Sequence, residues 1–316
     1  MEVIARSNSP YGPFETPPTD SPDANPFLTN RNLGGYPLQG TGHADLVQDL
    51  DGNWWAVLLA FRQIGQYLAF HHLGREACLV PVHFTEDGWL RAGTDGTVRL
   101  TMTGPLSSEP IKQEMMKRLT FSNTSPGMEW VYLRNPFSEN YRFLPGDSLQ
   151  LRGTSVSLDN PDLSPTFLGL RQSEFTGQLQ VHLHSTTGEA GISIYQNETH
   201  HYELALLQKD GKSWLIKRRT IGDMQYIQKK CILPDQTFDL MLSIRMDSEN
   251  YYFQAEISSS AYGAETDYDF GSAESRYLSS EVAGGFTGVM LGLYAVNTKE
   301  QFATFSNFSY EMEYKE

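Results

Sequence analysis

The histidines are the first residues to weigh, because imidazole both ligates metals and carries protons near neutral pH. His43 follows a glycine-rich approach, Gln39-Gly40-Thr41-Gly42, and precedes the apolar run Ala44 to Val47. Glycines there let the backbone come close to a neighbour. A His at the mouth of a strand ligates a metal or bonds a substrate, or simply bonds backbone where the strand begins. His71-His72-Leu73-Gly74-Arg75-Glu76 is the second cluster. Adjacent residues of a strand point to opposite faces, so this pair cannot hold one ion from a strand. The Arg75 guanidinium forks onto sugar hydroxyls or onto a nearby acid. His182 and His184 share one strand face at a spacing able to chelate. With no acidic or Cys partner placed beside them, a solvated sheet face is the simpler reading. His200-His201, next to the sequon at Asn197, reads as a turn. Asp49 and Asp51 flank a hairpin turn and lack the spacing of an EF-hand loop.

Several constellations are missing. The chain has no P-loop, no dinucleotide fingerprint, no G-x-S-x-G elbow and no H-E-x-x-H. Its 24 Lys and Arg against 38 Asp and Glu give a net charge of −14. So acidic a surface repels phosphate backbones and anionic membranes, so neither nucleic acid nor membrane is an expected partner. The longest apolar run, Trp54 to Phe61, is far below the ~20 residues of a spanning helix. Two cysteines, Cys78 and Cys231, make no disulfide scaffold and read as buried free thiols. No signal peptide opens the chain, three N-glycosylation sequons occur at Asn123, Asn197 and Asn307, and the compartment stays open.

The elements that must position these residues read as strands throughout. Residues 1–42 carry seven prolines and read as loops, with a short strand at Val3-Ile4-Ala5. From 43 to 100, apolar runs alternate with Asp51-Gly52, Asp87-Gly88 and Asp95-Gly96, the strongest short hairpin signal. Such close hairpins suit a propeller blade or a barrel. Residues 101–128 read as polar and Pro-rich around a short helix, Ile111 to Leu119, joining two domains. From 129 onward period-two alternation dominates. Leu179, Val181 and Leu183, then Tyr202, Leu204 and Leu206, then Phe238 to Met246, each predict a strand with one wet face. Asp210-Gly211 joins two of these runs, and Val289 to Val296 is apolar enough for a central strand. Antiparallel sheets packed face to face, a β-sandwich, follow from that pattern.

Ordered motifs then carry a resemblance. Ser9 to Glu15, Asn25 to Thr29, Gly40 to Val47, Gly52-Asn53-Trp54-Trp55, Leu73 to Glu76, Pro81-Val82 and Asp87-Gly88-Trp89 resemble the late part of the catalytic domain of glycoside hydrolase family 43. Glu189 to Ile192, His201 to Leu204, Gly285 to Gly288 and Gly292 to Ala295 resemble the concanavalin-A-like C-terminal domain of its β-xylosidase branch. The resemblance implies an all-β chain: the C-terminal portion of a five-bladed β-propeller over 1–110, a linker over 111–128, and a concanavalin-A-like β-sandwich over 129–316. It implies xylo- or arabino-oligosaccharides as substrates, hydrolysed with inversion. His43 would help hold calcium through water near the propeller axis. Arg75 would contact the terminal sugar, and Phe286 would be the aromatic of a sandwich loop that closes the pocket.

Inverting hydrolysis needs a general acid and a general base. In the family these carboxylates come from the first three blades, and no segment here matches the motifs that bear them. Five four-stranded blades plus a sandwich also need more than 316 residues. The chain is therefore expected to be an N-terminally truncated glycosidase with no catalytic residue of its own, little activity and a half-exposed apolar blade face. The other expectations are a non-catalytic carbohydrate-binding or accessory sandwich protein, and a partial propeller that pairs with another copy or with a separate N-terminal half.

Overall fold

The computed structural model describes residues 1–21, 24–105, 116–119, 121, 127–185, 187–233, 239–258, 265–297 and 299–313. The chain divides into two units, Met1–Lys112 and Gln113–Glu316.

The first unit is one four-stranded antiparallel sheet in sequence order: β1 (Leu38–Gln48), β2 (Trp54–Arg62), β3 (Glu76–Phe84) and β4 (Leu90–Ala92). The Asp-Gly turns fall where alternation predicted them, and Gly52 and Gly88 adopt φ of 87° and 76°. One face of the sheet is dry. Ala56, Leu58, Ala60, Val80 and Val82 pack there with Phe27, Leu28 and Val98. Asn30 ties the covering loops down, donating to the carbonyls of Leu38 and Val98 and accepting from Val98 N–H. The opposite face is apolar but open. Val47, Val57 and Leu79 are 47%, 41% and 48% exposed, and Val57 lies directly opposite Leu79 in register. Val3-Ile4-Ala5 does not form the expected strand. Isolated bridges at Glu2 and Arg6 flank it, and Ile4 packs on the dry face. The loop-rich stretch also ends sooner than expected, since β1 starts at Leu38.

The second unit is a two-sheet sandwich. Its strands are β5 (Met116–Leu119), β6 (Trp130–Val131), β7 (Tyr141–Leu144), β8 (Ser148–Arg152), β9 (Thr166–Arg171), β10 (Thr176–His184), β11 (Gly188–Asn197), β12 (His200–Lys209), β13 (Lys212–Ile221) and β14 (Met224–Ile232). They continue with β15 (Asp239–Met246), β16 (Asn250–Ser258), β17 (Glu265–Glu274), β18 (Met290–Val296) and β19 (Phe302–Glu313). One sheet runs β17-β16-β15-β10-β19-β8-β7, with β5 also on β19; the other runs β14-β13-β12-β11-β18-β9-β6. Alternation explains the core between them. Leu179, Val181 and Leu183 of β10 and Leu240, Leu242, Ile244 and Met246 of β15 are all at most 2% exposed, facing Tyr202, Leu204 and Leu206 of β12. Phe238 lies outside the described residues. β18 sits between β11 and β9, as a central strand should.

Two expectations need correction. Residues 116–119 are not helical: they form β5, with Leu119 opposite Tyr310 and Met116 opposite Glu313. Pairing with a distant strand overrides good local helix propensity here, and residues 106–115 lie outside the described ones. The second face of β12 is not wet either. His201, Glu203 and Ala205 are all buried, because Leu133 and Leu158 from the preceding loops pack with Tyr195, Ala205, Ile216 and Tyr294 on the outer face of this sheet. Among the described residues no helix is long and apolar enough to cross a membrane. Cys78 and Cys231 are free, half-buried thiols.

Candidate functional site

His43 stands within β1 rather than before it. Register shifts on both sides of Gly42 mark a bulged strand, and His43 itself has φ 57°. The residue that Gly40 approaches is Phe61. A Cβ on Gly40 would fall 2.1 Å from that ring, and φ there is 64°. Phe61 is also stacked on His71, with centroids 3.9 Å apart and planes at 10°. The glycine-rich approach therefore packs the strand against the Phe61–His71 ring stack, and His43 on the bulge is exposed.

His71 and His72 are in a loop, not a strand, and both are buried. Burial, aided by the charges of His71 and Arg62, pushes the His72 pKa down to about 3, so this imidazole is neutral at physiological pH. Arg75 is exposed at the end of this loop. Next to it Glu76 pairs with Arg62 at 2.7 Å. Among the described carboxylates of this unit, those whose pKa moves, Asp49 and Asp95, move down. The hydrogen bond from Trp55 lowers Asp49, and that from Thr97 lowers Asp95. A general acid needs the opposite. Hollows of about 610 and 460 Å³ flank the sheet, lined by residues such as Trp54 and Phe84 or Trp55 and Glu76. Neither is lined by His43 or Arg75.

A calcium ion takes six to eight oxygen ligands. Among the described residues no group of three His, Cys, Asp or Glu side chains could hold a metal. One exposed imidazole on a bulge does not fit a hard cation by itself. His182 and His184, half-exposed and exposed on β10, likewise belong to no such group.

Phe286 is 69% exposed, on the loop that follows the short helix α1 (Ser280–Ala283). Gly284 and Gly285, with φ of 74° and 82°, turn the chain there. Side chains clamp both ends of the loop. Asn197 donates to the Ala283 carbonyl at 2.9 Å, Gln196 to Thr287 at 2.9 Å and Arg171 to Gly288 at 2.8 Å. The aromatic is thus displayed by a braced turn.

The outer face of the β14-to-β6 sheet holds a charged cluster that sequence reading missed. His201 and Glu203 are buried on β12, and Glu203 lies opposite Arg218 of β13 in register. The Arg218 guanidinium donates to Glu189 at 2.6 and 2.7 Å and to Glu203 at 2.8 Å. Tyr294 donates to Glu189 at 2.7 Å. Asp159, on the covering segment, is bonded by His201 Nε2 at 2.9 Å and by Gln225 at 2.7 Å. His201 Nδ1 lies 3.0 Å from Glu203 Oε1, a close ionic contact rather than an aligned hydrogen bond. Burial alone would lower the His201 pKa, but Glu203 and Asp159 outweigh it and hold it up at about 9. The expected turn at His200-His201 is confined to Glu198 and Thr199. One signal was available: acid and base placed for cross-strand pairing on two strands joined by Asp210-Gly211.

Residues 118–311 match the β-xylosidase C-terminal concanavalin A-like domain, and residues 1–90 match glycosyl hydrolases family 43. The chain belongs to glycoside hydrolase family 43. Among its relatives, a non-reducing end α-L-arabinofuranosidase of Bacteroides ovatus is 36% identical over 301 residues, covering 93% of this chain and 54% of the relative. A xylosidase/arabinosidase of Butyrivibrio fibrisolvens is 29% identical over 317 residues, covering 97% and 58%. The solved Bacteroides ovatus GH43B of a xyloglucan locus superposes with a TM-score of 0.84 at 33% identity, over 99% of this chain and 60% of that one. A xylan β-1,4-xylosidase from Bacillus halodurans shares the fold with the same TM-score at 24% identity. This family 43 chain thus spans a little over half the length of the relatives it matches, and of the family's propeller-plus-sandwich architecture it carries one four-stranded blade sheet and the sandwich.

Proposed function

We propose that this chain supplies the late-propeller wall and the sandwich of a β-xylosidase/α-L-arabinofuranosidase-like glycoside hydrolase acting on xylan-derived oligosaccharides with inversion. In this reading Arg75 forks onto hydroxyls of the terminal sugar, and Phe286 presents a hydrophobic face to it. His43 reaches a cation only where oxygen ligands from outside the described residues complete the shell.

The observation that carries the reading is the blade itself. Its β1 bulge displays His43, while the open face at Val47, Val57 and Leu79 asks for a neighbouring sheet to cover it. Among the described carboxylates of this unit those whose pKa moves, Asp49 and Asp95, move down, away from the raised value of a general acid, and no segment carries the family's acid and base motifs, so the chain alone is expected to have little glycosidase activity. The test is release of 4-nitrophenol from aryl β-xyloside and aryl α-L-arabinofuranoside by residues 1–316. Release no faster than with heat-inactivated protein is expected. Robust turnover abolished by a chelator would overturn the reading.

A further inference from the structure

The charged cluster on the outer sheet face surrounds a hollow that the proposed hydrolysis does not use. Segment 153–165 crosses this face, with Leu158 buried in the apolar layer at 1% exposure. Beside it lies a cavity of about 380 Å³, within the roughly 300–1,000 Å³ typical of small-molecule sites. Glu189, Glu203 and Arg218 line it, together with Asp159 and Gln225. Tyr226 stands at its mouth, 47% exposed on edge strand β14.

Gathering four largely buried charges, His201, Glu203, Glu189 and Arg218, with a half-exposed Asp159 is a poor way to gain stability. Apolar side chains of similar volume often stabilise as well or better. The arrangement does suit recognition. Arg218 and His201 fix the carboxylates in place, and Gln225 Nε2 donates to Asp159 and Thr220, leaving lone pairs of Asp159, Glu203 and the Gln225 carbonyl at the cavity wall. Three carboxylates against two cations repel an anion. The hydroxyls of a neutral, hydroxyl-rich ring donate to such acceptors while its apolar face lies on a tyrosine.

We propose that this hollow is a second, non-catalytic saccharide site that seats one neutral sugar ring against Tyr226, with Asp159, Gln225 and the Glu189–Arg218–Glu203 floor as its hydrogen-bonding partners. The choice of pentose probes rests on the proposed function. The site itself is independent of catalysis, because its readout is binding by residues that hydrolysis does not need.

The experiment is calorimetric titration of the full chain with xylotriose and with arabinotriose. Saturable binding of one of them is expected. Tyr226→Ala and Gln225→Ala, both on an exposed edge strand, should each weaken it roughly tenfold, about 1.4 kcal/mol, with an unchanged circular dichroism spectrum. Phe286→Ala should leave it intact. Absence of binding by both sugars overturns the proposal. So does binding that survives both β14 substitutions or that disappears in Phe286→Ala. A chain that hydrolyses nothing but binds through Tyr226 supports this site whatever becomes of the hydrolase reading.

Discussion

His201 Nε2 lies 2.9 Å from Asp159 Oδ1, so a fully buried imidazole on β12 is tied to a half-exposed carboxylate on the segment that covers it. The bond joins sheet to cover, and Glu203 on the other side of the ring makes the charged form of His201 the stable one.

Stability of the sandwich should therefore fall in alkali. The folded His201 pKa of about 9 exceeds its ordinary 6.5, so its contribution is complete below pH 6.5 and is lost as pH rises through 9. The loss is on the order of 3 kcal/mol by linkage. Asp159, held down at about 2 by hydrogen bonds from His201 and Gln225 against the upward pull of burial, behaves oppositely: its contribution is present above pH 3.8 and is lost as pH falls through 2. Thermal melts of the wild type and His201→Gln across pH 6 to 10 should converge at the alkaline end. Parallel curves would contradict this.

Lys217 should give the opposite slope. Its ammonium is fully buried, donates to the carbonyls of Phe270 and Ser272 at 3.1 and 2.8 Å, and sits 4.5 Å from the Phe253 ring centre. Burial, with help from the Arg219 charge, brings its pKa down to about 7 from 10.5. The folded state thus bears the full cost of a buried charge below pH 7 and is relieved as pH climbs from 7 to 10.5. Relative to Lys217→Met, the wild type should gain stability across that window, and urea midpoints at pH 6.5 and 9.5 would show it.

Gly40 should tolerate no side chain. Gly40→Ala brings a Cβ to 2.1 Å from Phe61 at a φ of 64°, whereas Gly52→Ala shares the positive φ without a close neighbour. The first should cost about 1–3 kcal/mol more than the second, read as the difference in urea midpoints. Equal costs would mean that Phe61 moves aside freely.

The open blade face should drive association. Val57 and Leu79 are adjacent, apolar and more than two-fifths exposed. Val57→Thr with Leu79→Gln should change stability by only about 0.5 kcal/mol, yet lower the weight-average mass in sedimentation at high protein concentration. An unchanged mass would mean that this face attracts no second copy.

Most of the architecture was legible because its signals are local. Asp51-Gly52, Asp87-Gly88 and Asp210-Gly211 each demand positive φ, and the alternation in β10 and β15 points one row of side chains inward. What escaped was set by distant partners. Met116 to Leu119 reads as helix until β19, nearly two hundred residues later, pairs with it. Glu203 reads as a wet face and His201 as a turn until β12 takes in both and segment 153–165 covers them. The site was legible only in part: the glycines before His43 do mark a close approach, but its object, Phe61, lies across the hairpin.

The proposed function makes this chain a sugar-facing wall whose described residues supply no acid–base carboxyl pair at the glycosidic oxygen. Product analysis after prolonged incubation of residues 1–316 with xylobiose tests it directly. The disaccharide should be recovered intact, with and without added calcium. Steady formation of xylose in proportion to protein concentration would contradict it.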